Sequence, residues 1–405
     1  MGDGHTESGD VSGTVLFRVE AGGGEPRTLA EDLPACPAGL RRDTSAGAGP
    51  LVTVVEGLDT WVGRLGPGGE RPEELSRYDG TLWSLDASAN GGTVAALRST
   101  AEEPAEVWSG QPEGPLRRLS DLNPQLQKIN WGPQERLSWR APDGLELDGL
   151  LILPPGKGRS DGPFPLVILV HGGPYWRWAD AFQLDWSFSG RWLADGGYAV
   201  FLPSPRGGMG HGRAFASTVA GAVGEADYPD VSAGIDRLVE EGVADPDRLG
   251  IGGWSHGGYI AAWAVGQTAR FRAAVVGAGV TDQGLMVAEG DIPTFEIALG
   301  GSAGWEGPGP HRHDELSPIS YAQRIETPVL ILHGEKDERV PIGQARYFAR
   351  ALRHHGCPFE LVVYPREPHA IEERNHQIDI LRRSRAWFDR WLGAGESHDY
   401  AARLG

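Results

Sequence analysis

From residue 12 to about residue 130 the chain alternates short apolar runs with Gly, Pro and Asp turns, and little of it repeats at helical spacing. That texture predicts an all-β region. One pattern recurs within it: Val15-Leu16-Phe17 leads through a glycine turn to Leu29, Trp61-Val62 to Leu75, and Val107-Trp108 to Leu119, with closing leucines 46 and 44 residues apart. A strand, a turn and a second strand repeated about every 45 residues is how β-propeller blades read in sequence. Propellers close with about four to eight blades, and this stretch has room for roughly two to three. An open ring exposes unpaired backbone at its blade edges, so the region is expected to be poorly ordered or covered by its neighbours.

From Leu137 the periodicity changes. Two strands are expected around the Ala141-Pro142-Asp143-Gly144 turn, the second over 145–153, after which short apolar runs alternate with helical ones. The runs are 166–170, 198–202, 249–252, 273–276, 329–332 and Phe359–Tyr364; the helices include 231–241, 259–268, 344–354 and 373–392. Ala345, Phe348, Ala349 and Leu352 share one helical face, and Gly356 marks that helix's end. Ile378, Leu381, Phe388 and Leu392 form the stripe expected of the last helix. Such alternation predicts a mostly parallel sheet with helices on both faces. The chain thus divides into an all-β region, 1–130, and an α/β region, 131–405.

Composition narrows the possible partners. The 405 residues carry 37 basic and 55 acidic side chains, a formal net charge of -18, which disfavours nucleic acid and anionic membrane surfaces. The first ten residues are polar and acidic, unlike a secretory leader. No run approaches the ~18 apolar residues of a membrane span. Cys36 and Cys357 are too few for a disulfide framework. A cytoplasmic protein is expected.

Gly253-Trp254-Ser255-His256-Gly257 stands between the strand-like 248–252 and the helix-competent 259–268. At a strand-to-helix elbow a serine is held in a strained conformation that requires small neighbours. Its hydroxyl is lifted above the strand ends, with a helix N-terminus behind it. Such a hydroxyl attacks only when an imidazole takes its proton and an acid orients the imidazole. Two later strand ends supply candidates: Asp337 after 329–332, with Glu335 and Glu338 as alternatives, and His369 after Phe359–Tyr364. His376 is the rival base, but it falls inside the last helix. Strand carboxyl ends are where open α/β sheets place their sites.

Donors for a tetrahedral oxyanion are expected from Gly172 and Gly173, in the turn after 166–170, and from the amide of His256. His171 reads as a positioning residue beside the substrate. Arg206 offers a guanidinium able to hold a substrate carbonyl or carboxylate. Tyr175, Trp176, Trp178 and Trp186 are candidate walls of a cleft. The His311-Arg312-His313 run has metal-like spacing but no further clustered ligands, so it reads as an exposed loop and no metal is expected.

Several motifs together resemble the prolyl oligopeptidase family of serine peptidases, especially its acylaminoacyl peptidase and dipeptidyl aminopeptidase branch. They are His171-Gly172-Gly173-Pro174, Pro205-Arg206-Gly207-Gly208-Met209-Gly210, Gly253-Trp254-Ser255-His256-Gly257-Gly258-Tyr259, Leu332-His333-Gly334 with Asp337, Val340 and Pro341, and Tyr364-Pro365 with His369. The resemblance covers about 137–392. It implies an α/β-hydrolase fold, here preceded by a partial β-propeller, a triad of Ser255, Asp337 and His369, and cleavage of short peptides through an acyl-enzyme without a cofactor. It also implies that Tyr259, Leu285 and Met286 belong to the substrate pocket. With Gln283, the last two stand where relatives often carry aromatics, so an apolar first subsite is expected.

Family members screen their site with a larger propeller. A chain holding only its final part is a fragment or a natural truncation, and self-association is expected to cover the open edges. Two other readings compete: an esterase on the same fold, and a non-catalytic protein disabled by its broken propeller.

Overall fold

The structure is a computed structural model that describes residues 11, 13–42, 49–66, 68–69, 71–187 and 189–393. The polar stretch 1–10 lies outside the described residues. In the N-terminal region β1 (Leu16–Arg18) and β2 (Arg27–Leu29) form a hairpin. β3 (Cys36–Arg41), β4 (Leu51–Glu56), β5 (Asp59–Arg64) and β6 (Glu73–Tyr78) form a four-stranded antiparallel sheet, and β7 (Thr81–Ala87), β8 (Val94–Ser99), β9 (Glu106–Gly110) and β10 (Arg117–Arg118) form another. Each repeat visible in the sequence is the closing hairpin of its unit: β1–β2, β5–β6 and β9–β10. Two full sheets and half of a third agree with the expected two to three blades.

The continuous apolar run of β4 follows from its place. Val52 and Val54 face the hairpin alongside Leu16, Leu29 and Trp61, whereas Leu51 faces the last sheet alongside Val62, Leu82 and Val94. The β4–β5 turn inserts Leu58 into an apolar cluster of the α/β region.

That region is built on one eight-stranded sheet: β11 (Gln134–Arg140), β12 (Glu146–Ile152), β13 (Phe164–Val170), β14 (Ala199–Ser204), β15 (Ala244–Trp254), β16 (Phe271–Gly277), β17 (Val329–Gly334) and β18 (Phe359–Tyr364). Their spatial order is β11-β12-β14-β13-β15-β16-β17-β18. β12 runs antiparallel to both its neighbours, and every pair from β14 to β18 is parallel. This is the expected α/β-hydrolase arrangement. The order reverses at β13, and the carboxyl ends of β13 and β15 on either side of such a reversal are where open α/β sheets place their sites.

Helices cover both faces: α1 (Gly190–Ala194), α2 (Arg213–Ala216), α3 (Tyr228–Glu240), α4 (His256–Gln267), α5 (Gln283–Glu289), α6 (Pro293–Gly300), α7 (Arg312–Glu315), α8 (Gly343–His354) and α9 (Arg374–Leu392). Alternate residues of β13 sort into two cores. Leu166 and Ile168 pack with Ile235, Ile260 and Phe348, and Val167 and Leu169 pack with Leu193, Ile380 and Phe388. None of the described helices is long and apolar enough to cross a membrane.

The stripe expected of the last helix is corrected. Ile378 and Leu381 are half-buried, and the buried face runs through Ile380, Ser384, Trp387, Phe388 and Leu392. The helix is turned so that Phe388 lies over β15, where a Cβ added at Gly250 would stand 2.8 Å from the ring. Because Phe388 is fully buried between α9 and the sheet, Phe388→Ala is expected to cost about 3–5 kcal/mol, read as a lowered urea midpoint.

Candidate active site

The elbow between β15 and α4 forms because two glycines let the chain fold back on itself. A Cβ at Gly257 would lie 2.0 Å from the Val170 carbonyl oxygen, and one at Gly253 would lie 2.4 Å from Gly257. Ser255 between them is forced to φ 60° and ψ -121°, a region that residues with side chains seldom enter. Its amide donates to the Gly277 carbonyl at 2.9 Å and its carbonyl accepts from Tyr259 N at 2.9 Å, so the turn is pinned from both sides. The His256 amide opens α4, where backbone N–H groups lack intrahelical acceptors. Gly172 abuts the same turn: a Cβ there would be 3.6 Å from the Ser255 Cβ.

An imidazole and an acid arrive from the next two loops. Asp337 is buried after β17; its Oδ1 accepts from Val340 N at 2.8 Å, and its Oδ2 accepts from His369 Nδ1 at 2.7 Å. A carboxylate only accepts, so the proton of this bond sits on His369 Nδ1. The Trp254 indole N–H donates to the His369 carbonyl at 2.9 Å, tying the histidine loop to the residue before Ser255. Trp186 packs edge-on against Trp254 at 4.9 Å. Beneath, His333 donates from Nε2 to the Val340 carbonyl at 2.7 Å. Its full burial holds its pKa below the ordinary histidine value, so it lies neutral under Asp337.

The rivals are placed elsewhere. Glu335 and Glu338 are exposed, and Glu335 accepts from the Arg366 amide. His376 donates from Nδ1 to Glu367 at 2.6 Å, on α9. His171 is buried, with Nδ1 donating to the Gly172 carbonyl at 2.7 Å, and burial draws its pKa down to about 4.

Several expected binding residues are corrected. Arg206 is held by Asp230 and Asp143, with all three guanidinium nitrogens engaged at 2.8–3.0 Å and four of its five N–H donors used, so its charge is already paired within the fold. Tyr259 is core: its hydroxyl lies 2.9 Å from both the Val223 and Leu316 carbonyls, and its ring stacks between His256 and Trp263. Met286 is 1% exposed, and of the expected pocket residues on α5 only Leu285 remains half-open. Tyr175 turns toward the N-terminal region, where its hydroxyl meets Thr14 Oγ1 at 3.0 Å. The His311-Arg312-His313 segment is no exposed loop: His313 is buried, and its Nδ1 bonds Ser302 Oγ at 2.9 Å.

Sequence reasoning missed the buried pair behind the serine, in which His256 Nε2 donates to Asp227 Oδ2 at 2.9 Å. Asp227 begins α3 and reads in sequence as an ordinary helix cap, so nothing local announces its partner.

With this geometry in view, the prolyl oligopeptidase family matches residues 183–395, just over half of the chain. The chain belongs to the prolyl oligopeptidase family. It is 32% identical over 307 residues to the uncharacterized peptidase YuxL of Bacillus subtilis, covering 72% of this chain and 44% of that one. To the human acylamino-acid-releasing enzyme it is 28% identical over 314 residues, covering 74% and 41%. The acylaminoacyl peptidase of Pyrococcus horikoshii superposes with a TM-score of 0.78 at 25% identity, over 95% of this chain and 60% of that one. The chain therefore spans less than half the length of these two curated relatives.

Near the loop that carries Asp337, burial of Glu296 on α6 pushes its carboxyl up to about 8, with Arg339 drawing it down less and Asp291 adding slightly. The folded pKa lies above the ordinary 4.5, so the stability this group favours is complete below about pH 4.5 and is lost as pH rises through about 8. Glu296→Gln is expected to flatten that decline, measured as urea midpoints across this range.

Proposed function

We propose that the chain is a serine peptidase that hydrolyses short peptides through an acyl-enzyme, with residues 131–405 as its catalytic unit. The observation carrying this reading is the 2.7 Å Asp337–His369 pair, delivered by the Trp254 indole to the neighbour of a serine held at positive φ. Ser255 Oγ attacks the scissile carbonyl carbon while its proton passes to His369 Nε2. The carbonyl oxygen takes the displaced electron pair and is stabilised by the His256 amide and the Gly172–Gly173 turn, each donor worth about 10²–10³ in rate. The C–N bond then breaks as His369 returns the proton to the leaving amine. A water deprotonated by the same imidazole hydrolyses the acyl-enzyme and restores Ser255. Asp337 stays ionised throughout and stabilises the imidazolium.

These steps need no cofactor. Peptides are the substrate class supported by the names of the relatives, and half-open Leu285 fits an apolar residue before the scissile bond. Cys36 and Cys357, both free and buried, fit a cytoplasmic location.

Peptide para-nitroanilides with an apolar residue before the cleaved bond are expected to be turned over faster than matched para-nitrophenyl esters, relative to each compound's spontaneous hydrolysis. Ester turnover alone would place the chain among esterases. Blocked and free amino termini in the same panel separate release of an acylated residue from release of a dipeptide. Fluorophosphonate labelling is expected to vanish in Ser255→Ala, and a folded wild type that resists labelling would remove the peptidase reading. Asp337→Asn is expected to lower kcat by about 10⁴-fold with the fold intact, because the imidazole then loses its orienting acceptor.

A further inference from the structure

The tip of the β4–β5 hairpin touches the α/β region at four consecutive residues. Gly57 N donates to the Gly210 carbonyl at 2.8 Å. Leu58 is 5% exposed and packs in the cluster that contains Leu169 and Trp254. Asp59 pairs with Arg136 at 2.6 Å. The Gly57 carbonyl and Thr60 Oγ1 accept from Arg177 Nη1 and Nη2 at 2.6 and 3.0 Å.

Arg177 lies four residues after Gly173, in the turn that follows β13. It is buried, and both of these acceptors are neutral. A buried guanidinium is an expensive way to glue two surfaces together, and an apolar side chain would serve adhesion better. What the planar fork adds is direction: two acceptors on one hairpin fix the course of the main chain that carries it. The same turn is held from the other side, since the Met209 amide donates to the Trp176 carbonyl at 3.0 Å and the Trp178 indole N–H donates to the Leu169 carbonyl at 2.9 Å. Within the span from Gly172 to Trp176 the Tyr175 hydroxyl also meets Thr14 of the N-terminal region at 3.0 Å, and Arg177 adds the two bonds that fix the main chain just after it.

We infer that the β4–β5 hairpin tip, through Arg177, positions the Gly172–Gly173 turn for the oxyanion, so that this blade is a working part of the active site. The inference rests on the peptidase reading above. Arg177 is a positioning residue that never touches substrate.

The test uses the full chain, with wild type, Arg177→Met, Thr60→Val and the double variant assayed on the para-nitroanilide, alongside a peptide aldehyde that forms the tetrahedral adduct and the cleavage product as a ground-state ligand. A misplacement of about 1 Å costs up to about 100-fold in rate, so Arg177→Met is expected to lower kcat and kcat/KM together by about 10–100-fold. KM and product affinity should stay within about twofold, and aldehyde affinity should fall by the same factor as kcat/KM. Thr60→Val, which keeps the shape and removes one acceptor, is expected to lower kcat less, and to add nothing in the Arg177→Met background.

A folded Arg177→Met with wild-type kcat and aldehyde affinity would overturn the inference, as would a loss confined to melting temperature. If Arg177→Met does not fold, Thr60→Val decides: unchanged kcat and aldehyde affinity overturn the inference, and a parallel fall in both supports it. A wild type inert on the whole panel overturns the peptidase reading along with this one, whereas an active wild type with an indifferent Arg177→Met overturns this one alone.

Discussion

The site hangs on a steric fact: there is no room for a side-chain carbon at the two glycines that flank Ser255. With the Val170 carbonyl oxygen 2.0 Å from where a Gly257 Cβ would be, α4 can approach β13 closely enough for its first turn to lie beside the Gly172 turn. The serine between them then has no relaxed conformation available, and the Gly277 carbonyl and the first turn of α4 hold it where it is. Strain of this kind, of order 1–3 kcal/mol, persists only when the surroundings over-determine it. Here the surroundings are the middle strands of an eight-stranded sheet, the most deeply buried part of the molecule.

The N-terminal sheets extend this logic outward. A partial ring is a poor structural unit by itself, because small cores leave blade edges unpaired. Here the inner strands of the middle sheet, β4 and β5, are buried on both faces, and their hairpin tip is continuous with the core that contains Trp254. One contact surface thus serves two needs: the open ring gains a neighbour, and the loop that faces the serine gains a support. The N-terminal region is coupled to the residues around the elbow through the packing of Leu58 and the hydrogen bonds of Arg177.

Local pattern made much of this legible. The elbow was readable because strand, small-residue turn and helix are contiguous, and the strands of the parallel sheet because their burial on both faces leaves unbroken apolar runs. The blade hairpins were readable from their spacing. What escaped was every feature decided by distant partners. Arg206 reads the same whether it meets a substrate or Asp230 and Asp143, and only the fold tells that both acids are there. Tyr259 and Met286 follow the elbow and its neighbouring loop in sequence, yet helix rotation turns them into the core. Helix α9 is amphipathic enough that two stripes compete, and the one facing the glycines of β15 wins because Phe388 fits over them.

Among the described residues three hydrogen-bonded imidazole–carboxylate pairs stand in or beside this site, and their differences explain why one is suited to proton transfer. His256 commits its Nε2 to Asp227, and with a side chain only 8% exposed and its ring stacked on Tyr259 it is a buried structural pair. His376 commits Nδ1 to Glu367, whose carboxylate also accepts from the Glu372 and Glu373 amides at the start of α9; the pair therefore fastens the histidine loop to that helix. His369 and His376 both combine a buried acceptor at Nδ1 with a partly exposed side chain, 25% and 19%, but only His369 is tied through the Trp254 indole to the serine elbow. A base that must gain and lose a proton each turnover needs one nitrogen fixed and the other reachable. The Glu367 pair contributes by limiting where His369 can go, since its three acceptor contacts and the Trp254 indole hold the loop from opposite ends.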